Sequence, residues 1–222
     1  MRVMTLTAAL VVAASSLSAQ DADRSVKDGG ISVAGWKGRV DRGAKGQGKS
    51  IADSKFTSEG SALRLSVGPA SVYWNDANSA KGNYTVKATF KEHKMKSSHP
   101  HAYGIFIGGA GLEGDSETLM YCIAYGTGTY SVKTFHGSKV TTLVDRVASD
   151  ALKKADANGE STNEIGWRVT GDKVSCVING TEVKSFSKAD VIGPDKLTST
   201  DGVYGIRVSH NLELTVSGLT KQ

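Results

Sequence analysis

The chain has 222 residues, with 27 Lys and Arg against 22 Asp and Glu, which gives a formal net charge of +5. The basic residues are spread along the chain, and such a diffuse excess favours solubility and weak attraction to anionic surfaces. Nucleic-acid binding instead needs a basic stripe with aromatic stacking residues, so we expect no nucleic-acid partner.

Residues 1–19 have the three parts of a secretory signal peptide. Arg2 gives a positive start, residues 3–14 are apolar, and small residues lead to Ala19. The apolar run is too short to cross a bilayer of roughly 30 Å as a helix. We therefore predict cleavage after Ala19 and a secreted or periplasmic mature protein, without a membrane span.

The remaining chain divides into a short leader and one domain. Residues 20–35 begin with a polar run, which predicts a flexible leader. Residues 36–222 have no linker and no internal repeat, and their number suits a single domain with a substantial core. Within this domain, Gly43 to Lys49 is rich in Gly and Lys and reads as a loop.

Short runs that alternate apolar and polar residues fill the domain and predict antiparallel strands. Leu119 to Tyr125 is apolar on both faces, which is typical of a central strand. Asn179-Gly180 predicts a tight hairpin, because a type I′ turn needs two positive φ angles. Asp150 to Ala155 is the only helix candidate. About a dozen strands predict an all-β fold, a two-sheet antiparallel β-sandwich of the jelly-roll kind.

Two cysteines, Cys122 and Cys176, both fall at core positions of predicted strands. In an exported chain such a pair can form a disulfide. Buried free thiols that pack as small apolar side chains explain the positions equally well.

Four segments resemble the concanavalin A-like lectin and glucanase sandwiches. They are His99 to Gly109, Gly128 to Lys133, Val177 to Gly180 and Gly202 to Leu212. Across roughly Trp36 to Leu219 the chain is similar to exported bacterial proteins of the DUF1080 group, which are 3-keto-disaccharide hydrolase-like.

This resemblance implies a concave sheet face that binds carbohydrate, so a glycan is the expected partner. Two alternatives stay open: a small secreted hydrolase of the 3-keto-disaccharide or glycoside type, and a structural cell-surface interaction domain. Fold alone does not decide between them.

Acidic residues cluster at Glu113, Asp115 and Glu117. A retaining glycosidase needs two carboxyl groups about 5 Å apart, and this alternation makes Asp115 and Glu117 the candidate acids. An acidic loop or a weak Ca²⁺ site with oxygen ligands explains the cluster as well. Apart from such a Ca²⁺ site, no cofactor is expected, and the sequence assigns no catalytic residue.

Two histidines occupy strand positions that could meet. His101 shares its parity with Tyr103, and His210 with Ile206, so neighbouring strands would turn both rings toward one pocket. Such a pair could bind a metal, move a proton or hydrogen-bond sugar hydroxyls. A catalytic zinc would need a third ligand such as His99. The alternative is two rim histidines that bond to backbone carbonyls.

Aromatic and polar side chains complete the candidate binding set, since sugar rings stack on Trp and Tyr faces. Trp74 is equally compatible with the core and with a binding platform, whereas Trp36 and Trp167 are expected in the core. The candidate binding residues are His101, His210, Arg207, Tyr103, Tyr121, Trp74 and Asn211.

Overall fold

A computed structural model describes residues 21–94 and 101–222. The predicted signal peptide and His99 lie outside these residues. In the described part of the chain, fifteen strands form two sheets packed face to face. The eight-stranded sheet has the order β1-β3-β4-β15-β6-β11-β12-β13, and the seven-stranded sheet has the order β10-β9-β8-β7-β14-β5-β2. The predicted antiparallel β-sandwich is confirmed, with the short β1–β3 pair as a parallel exception.

The strands have the following bounds: β1 Gly30–Ile31, β2 Trp36–Val40, β3 Lys55–Glu59, β4 Ala62–Val67, β5 Ser71–Ala80, β6 Tyr84–Glu92, β7 Ala102–Ala110, β8 Thr118–Tyr125, β9 Thr129–His136, β10 Lys139–Ala148, β11 Ser161–Thr170, β12 Lys173–Ile178, β13 Thr181–Ser187, β14 Gly202–Val208 and β15 Leu212–Lys221. Two short α-helices, α1 (Arg42–Gly46) and α2 (Lys188–Val191), and a 3₁₀ turn at Ile51–Asp53 are the helical elements of the described chain.

The core lies between the two sheets and follows the alternation of the sequence. In β6, Val86, Ala88 and Phe90 point inward while their neighbours are partly exposed. Trp167 of β11 is fully buried, and its indole N–H donates to the Ile105 carbonyl across the sandwich at 3.0 Å. This bond satisfies the one polar atom of the largest core side chain, as burial of a Trp requires.

A disulfide joins the two sheets. Cys122 lies in β8 of the seven-stranded sheet and Cys176 in β12 of the eight-stranded sheet, 54 residues apart in sequence. Both residues are fully buried in the core. The sequence left open a disulfide or two buried free thiols, and the structure contains the disulfide.

The prediction of a helix at Asp150 to Ala155 is wrong, because this segment forms a turn followed by chain without regular secondary structure. Its backbone bonds to groups outside the segment. Lys153 N–H donates to the Asn163 side chain at 2.8 Å, and Ala155 N–H donates to the Gly126 carbonyl at 2.8 Å. These partners compete with the i to i−4 bonds of a helix.

Residues 43–49 were expected to be a loop, and their first part is instead the C-terminal portion of α1. A single helical turn is too short for a periodic signal, which explains why the Gly-rich composition concealed it. No helix of the described chain has both the length and the apolar character needed to cross a membrane.

A polar network is enclosed near one end of the core. Tyr103 Oη lies 2.8 Å from Ser161 Oγ, and the Asn163 amide donates to Tyr103 Oη at 3.2 Å. Ser161 Oγ also donates to the Glu92 carboxyl at 3.1 Å. Burial raises the pKa of Glu92 to about 7, against a smaller lowering by the Ser161 hydrogen bond.

Removing the disulfide should destabilise the sandwich. In the chain-entropy account, a loop closed by a separation of 54 residues contributes about 4 kcal/mol. We expect the double substitution Cys122→Ala and Cys176→Ala to lower the free energy of urea unfolding by several kcal/mol, and reduction of the wild-type protein to have a similar effect. An unchanged unfolding midpoint in both samples would contradict the bridge.

The Glu92→Gln substitution should change how stability depends on pH. The folded pKa of about 7 lies above the ordinary value of 4.5, so the folded state binds the extra proton between these values. Stability from this group is therefore present below about pH 4.5 and is lost as pH rises toward 7, by up to about 3 kcal/mol. Urea unfolding should be measured at both ends of this range. Relative to the wild type, the free energy of unfolding of Glu92→Gln should be higher at the upper pH than at the lower one. A constant difference between the two proteins would refute this role of Glu92.

Candidate functional site

The side of the seven-stranded sheet that faces away from the core, here called the outer face, carries a second apolar cluster. Strand register places Trp74, Phe106 and Tyr121 in one row across β5, β7 and β8, with Gly205 of β14 between the first two. A Cβ at Gly205 would lie 2.7 Å from the Phe106 ring, so glycine lets this ring cover β14. The cluster consists of Val72, Trp74, Ala102, Phe106, Leu112, Leu119, Tyr121, Ile123, Tyr125 and Phe135.

Arg207 places a positive charge among these apolar side chains. It is only 5% exposed, and its guanidinium lies over the rings of Tyr121 and Phe135, at 5.1 and 5.3 Å from their centroids. Its two terminal nitrogens donate to the two Asp41 oxygens at 2.5 and 2.7 Å. Burial lowers the pKa of Arg207, but the charge and hydrogen bonds of Asp41 outweigh it and raise the pKa above its ordinary value.

The start of α1 brings Asp41 to this position. Its N–H donates to the Ala70 carbonyl at 2.8 Å, and its own carbonyl accepts the first helical bond from Lys45. Asp is a good N-cap residue because its side chain can bond to the first free N–H groups. Here that side chain makes no capping bond, and each of its two oxygens accepts one hydrogen bond from Arg207.

A cleft of about 480 Å³ opens beside Asp41. It lies between the N-terminal segment, α1 and the turn that connects β14 to β15. The lining residues are Asp21, Ala22, Asp23, Asp41, Gly43, Ala44, Gln47, Ala70, Ser209 and His210. The predicted meeting of the β7 and β14 strands thus lies beside a polar cleft.

The two predicted histidines are in contact at the rim of this cleft. The His101 and His210 rings meet edge to face, with centroids 4.4 Å apart. His210 Nδ1 lies 2.7 Å from an Asp23 oxygen, which fixes the orientation of the ring. Because Asp41 links Arg207 to the same cleft, the structure brings together His101, His210, Arg207 and two carboxylates.

Asp23 was missed by sequence reasoning because it falls in the predicted flexible leader. In the structure this segment lies against the sandwich. Arg24 donates to the Val67 and Leu212 carbonyls at 2.8 Å each, and it pairs with Glu213 at 2.7 Å. These partners are remote in sequence, so no local pattern around residue 23 signals the site.

Asn211 has a different role from the ligand contact that was expected. Its side chain accepts from Arg24 N–H and donates to the Ala22 carbonyl, both at 3.0 Å. Its φ of 52° is in the left-handed region, which Asn tolerates better than most residues. Asn211 therefore fastens the N-terminal segment that carries Asp23.

The segment 111–117 carries Glu113, Asp115 and Glu117 and is here called the acidic strap. None of its residues lines the cleft. Glu113 pairs with Lys37, Asp115 pairs with Arg42 at 3.2 Å, and Glu117 pairs with both Arg39 and Arg42. Burial raises the pKa of Glu117, but the hydrogen bonds from the two arginines outweigh it and hold the pKa below its ordinary value. Glu117 is therefore an ionised partner of arginines and not a proton donor at neutral pH.

Register also separates Glu117 from the histidines. Glu117 directly precedes β8, whereas Ala102, next to His101, pairs with Tyr125 at the far end of β8. Eight residues of strand span roughly 23 Å. Neither Asp115 nor Glu117 joins the cleft, and no set of three His, Cys, Asp or Glu side chains in the described ranges is arranged to hold a metal ion.

The predicted aromatic residues are not open platforms. Trp74 is 2% exposed and its indole N–H donates to Asp76 at 3.1 Å. Tyr121 lies beneath Arg207, and burial raises its pKa to about 12. Tyr103 belongs to the core between the sheets, as its parity with Ile105 dictates.

Comparisons with known proteins bear on the fold. A scan against protein-family models finds no match, and a search of curated proteins finds none either. Among solved structures, the chain is similar to carbohydrate-binding module CBM66 from Bacillus subtilis, at 10% identity and a TM-score of 0.58, over 87% of this chain and 99% of that one.

It is also similar to a Bacillus subtilis protein of unknown function with a galectin-like fold, at 14% identity and a TM-score of 0.56, over 84% of this chain and 88% of that one. At such identities the similarity shows the fold alone. It confirms the lectin-like, concanavalin A-type sandwich, whereas membership of the DUF1080 group stays a prediction.

Breaking the Asp41–Arg207 pair should destabilise the fold. Asp41→Ala would leave a buried guanidinium without its partner, and we expect a loss of about 3 kcal/mol in the free energy of unfolding. The double variant Asp41→Ala with Arg207→Met should regain part of this loss, because no buried charge remains.

The matched control is Lys139→Ala. It removes the partner of Asp195 in an ion pair whose two side chains are more than half exposed, and exposed pairs contribute little to stability. Urea unfolding that shows equal losses for Asp41→Ala and Lys139→Ala would contradict the buried role of Asp41.

Proposed function

We propose that this chain is an exported carbohydrate-binding protein whose saccharide ligand occupies the cleft beside His210. One observation carries the proposal: at the rim of a lectin-like sandwich, a cleft of about 480 Å³ is lined by carboxylate, imidazole, amide and hydroxyl groups. Small-molecule sites have volumes of this order, with a few convergent polar groups.

The lining chemistry suits sugar hydroxyls, each of which both donates and accepts hydrogen bonds. Asp23 and Asp41 supply acceptors, and the Gln47 amide supplies both a donor and an acceptor. Asp23 and Asp41 are already held by His210 and Arg207. A ligand would therefore meet oriented groups and would bind with less loss of side-chain entropy.

The outer face of the seven-stranded sheet supports binding less well than the cleft does. Its aromatic rings are buried, and the acidic strap is tied to Lys37, Arg39 and Arg42 beside it. For this reason we place the ligand at the rim of the sheet and not on its face.

Hydrolysis through His101, His210 and Glu117 has less support, because Glu117 lies at the far end of β8. A purely structural interaction domain would need no polar cleft. Export is supported by the pattern of residues 1–19 and by the inter-sheet disulfide, since disulfides persist in oxidising compartments.

Affinity measurements with variants test the proposal. Each lost hydrogen bond is worth about 0.5–1.5 kcal/mol, so Gln47→Ala should weaken the binding of an oligosaccharide by about threefold to tenfold. His210→Ala should weaken it further, because it also releases Asp23. Isothermal titration against a panel of neutral and amine-bearing oligosaccharides would measure both effects.

The control is Asn158→Ala, which removes an exposed amide that does not line the cleft and should leave affinity unchanged. Failure of every oligosaccharide and polysaccharide to bind, at low salt and with Ca²⁺ added, would overturn the proposal. Equal affinities for the wild type, Gln47→Ala and His210→Ala would remove the ligand from this cleft.

A further inference from the structure

We infer that Arg146 recognises the carboxylate of a uronic acid, so that the saccharide bound by this chain is an acidic one. The inference rests on the proposed function and adds the ligand's charge class. It comes from a strained and exposed arginine of β10, which lies over the outer face at the same end of the seven-stranded sheet as the cleft.

The backbone of Arg146 is held in an unusual conformation. Its φ of 47° is in the left-handed region, which side chains other than Gly, Asn and Asp rarely adopt. It lies in an irregular part of β10, where the register with β9 shifts between Val144 and Val147. Its N–H donates at 2.9 Å to the hydroxyl of Ser131, which is fully buried. Strained backbone and β-bulges are concentrated at binding sites, which points to a ligand for this side chain.

The side chain of Arg146 is oriented by an aromatic ring. Its guanidinium carbon lies 4.9 Å from the centroid of the Tyr125 ring, which belongs to the outer face. This contact holds the guanidinium in place without neutralising its charge. Within residues 21–94 and 101–222, no Asp or Glu forms an ion pair with Arg146, and Asp145 beside it is exposed. The guanidinium donors are therefore available to a ligand.

Most other cations of the outer face are neutralised by the chain itself. Carboxylates pair with Lys37, Arg39, Arg42 and Arg207. Lys133 of β9 differs from these four: it lies beside Tyr121 in the strand register, and none of the described carboxylates pairs with it. The β9–β10 side of the outer face therefore has two positive charges, from Lys133 and Arg146, that no acidic side chain of the described ranges compensates.

Strand register places Arg146 close to the cleft. Tyr125, the last residue of β8, pairs with Ala102 at the start of β7. The Ala102 carbonyl accepts from Ser209 N–H at 2.7 Å, and Ser209 lines the cleft. Two strand spacings, about 10 Å, therefore separate Tyr125 from a lining residue. One oligosaccharide can occupy the cleft and also present a neighbouring sugar unit to the guanidinium.

The chemistry of arginine selects the group that this sugar unit carries. A guanidinium offers parallel N–H donors in a rigid plane, which match the two oxygens of a carboxylate. A uronic acid has such a carboxylate on its ring, whereas the neutral sugar has a hydroxymethyl group there. The ammonium of an amino sugar would be repelled by both Arg146 and Lys133. Attraction of one class and repulsion of the other together give specificity.

Two ligands of equal length make the test: an oligouronate and its carboxyl-reduced, neutral counterpart. Isothermal titration at about 0.15 M salt screens the diffuse basic surface of the chain. We expect the oligouronate to bind about fivefold more tightly than the neutral form, the scale of a partly exposed ion pair. This advantage should decrease as the salt concentration rises.

Variants of Arg146 locate the effect. Arg146→Asn removes the charge, and Asn tolerates the left-handed backbone, so this variant should bind both ligands equally without a lower urea-unfolding midpoint. Arg146→Lys keeps the charge but not the planar donors, and should reduce the preference to about twofold. The matched control is Lys81→Gln, an exposed cation next to Ala80, which pairs with Gly202 at the opposite end of β14 from the cleft. It should leave the preference intact.

Three results would overturn the inference: equal affinity of the wild type for the two ligands, a preference for the oligouronate that Arg146→Asn leaves unchanged, or a preference that Lys81→Gln reduces as much as Arg146→Asn does. If both ligands bind equally and respond to Gln47→Ala, the proposed function stands and the charge selection fails. If the preference depends on Arg146 while Gln47→Ala and His210→Ala change nothing, the charge selection stands and the cleft is not the site. If neither ligand binds, the charge selection fails.

Discussion

A buried positive charge organises one side of this sandwich. Arg207 lies among aromatic rings on the outer face of the seven-stranded sheet, where an unpaired guanidinium would be strongly destabilising. Its two-point bond to Asp41 offsets that penalty and fixes the junction between β2 and α1. Because α1 and Asp41 form one wall of the cleft, the ion pair that compensates the buried charge of Arg207 also shapes the candidate site.

Charge is distributed unevenly along this side of the molecule. Toward the start of β8, the acidic strap is matched by Lys37, Arg39 and Arg42 and its carboxylates are occupied. Toward the other end of the strands, Asp23 and Asp41 are held by His210 and Arg207 at the edge of an open cleft. The first arrangement is a closed set of ion pairs, and the second keeps hydrogen-bonding capacity for a ligand.

The local parts of this account were predictable from the sequence. The alternation of apolar and polar residues predicted which side chains of β6 and β7 face the core, because strand geometry turns alternate side chains to opposite faces. Asn179 and Gly180 have φ angles of 49° and 80°, as the predicted type I′ turn requires. The same parity argument led to the His101–His210 contact, which depends only on β7 and β14 being neighbours.

The parts that escaped prediction depend on contacts between residues remote in sequence. Asp23 becomes a site residue because Arg24 and Asn211 hold its segment against β4 and β15. Glu117 was a candidate acid by its spacing alone, and spacing does not reveal that Arg39 and Arg42 reach it. In both places tertiary partners, and not local propensity, determine what the side chain does.

The most direct test of the central claim is an amide and imidazole NMR titration with the oligosaccharide that binds most tightly in isothermal titration. The account predicts concentration-dependent shifts concentrated at Asp23, Gln47, Ser209 and His210, with little change across the acidic strap. Shifts confined to the strap or to Trp74 and Tyr121, or no shifts at a saturating ligand concentration, would contradict a saccharide site beside His210.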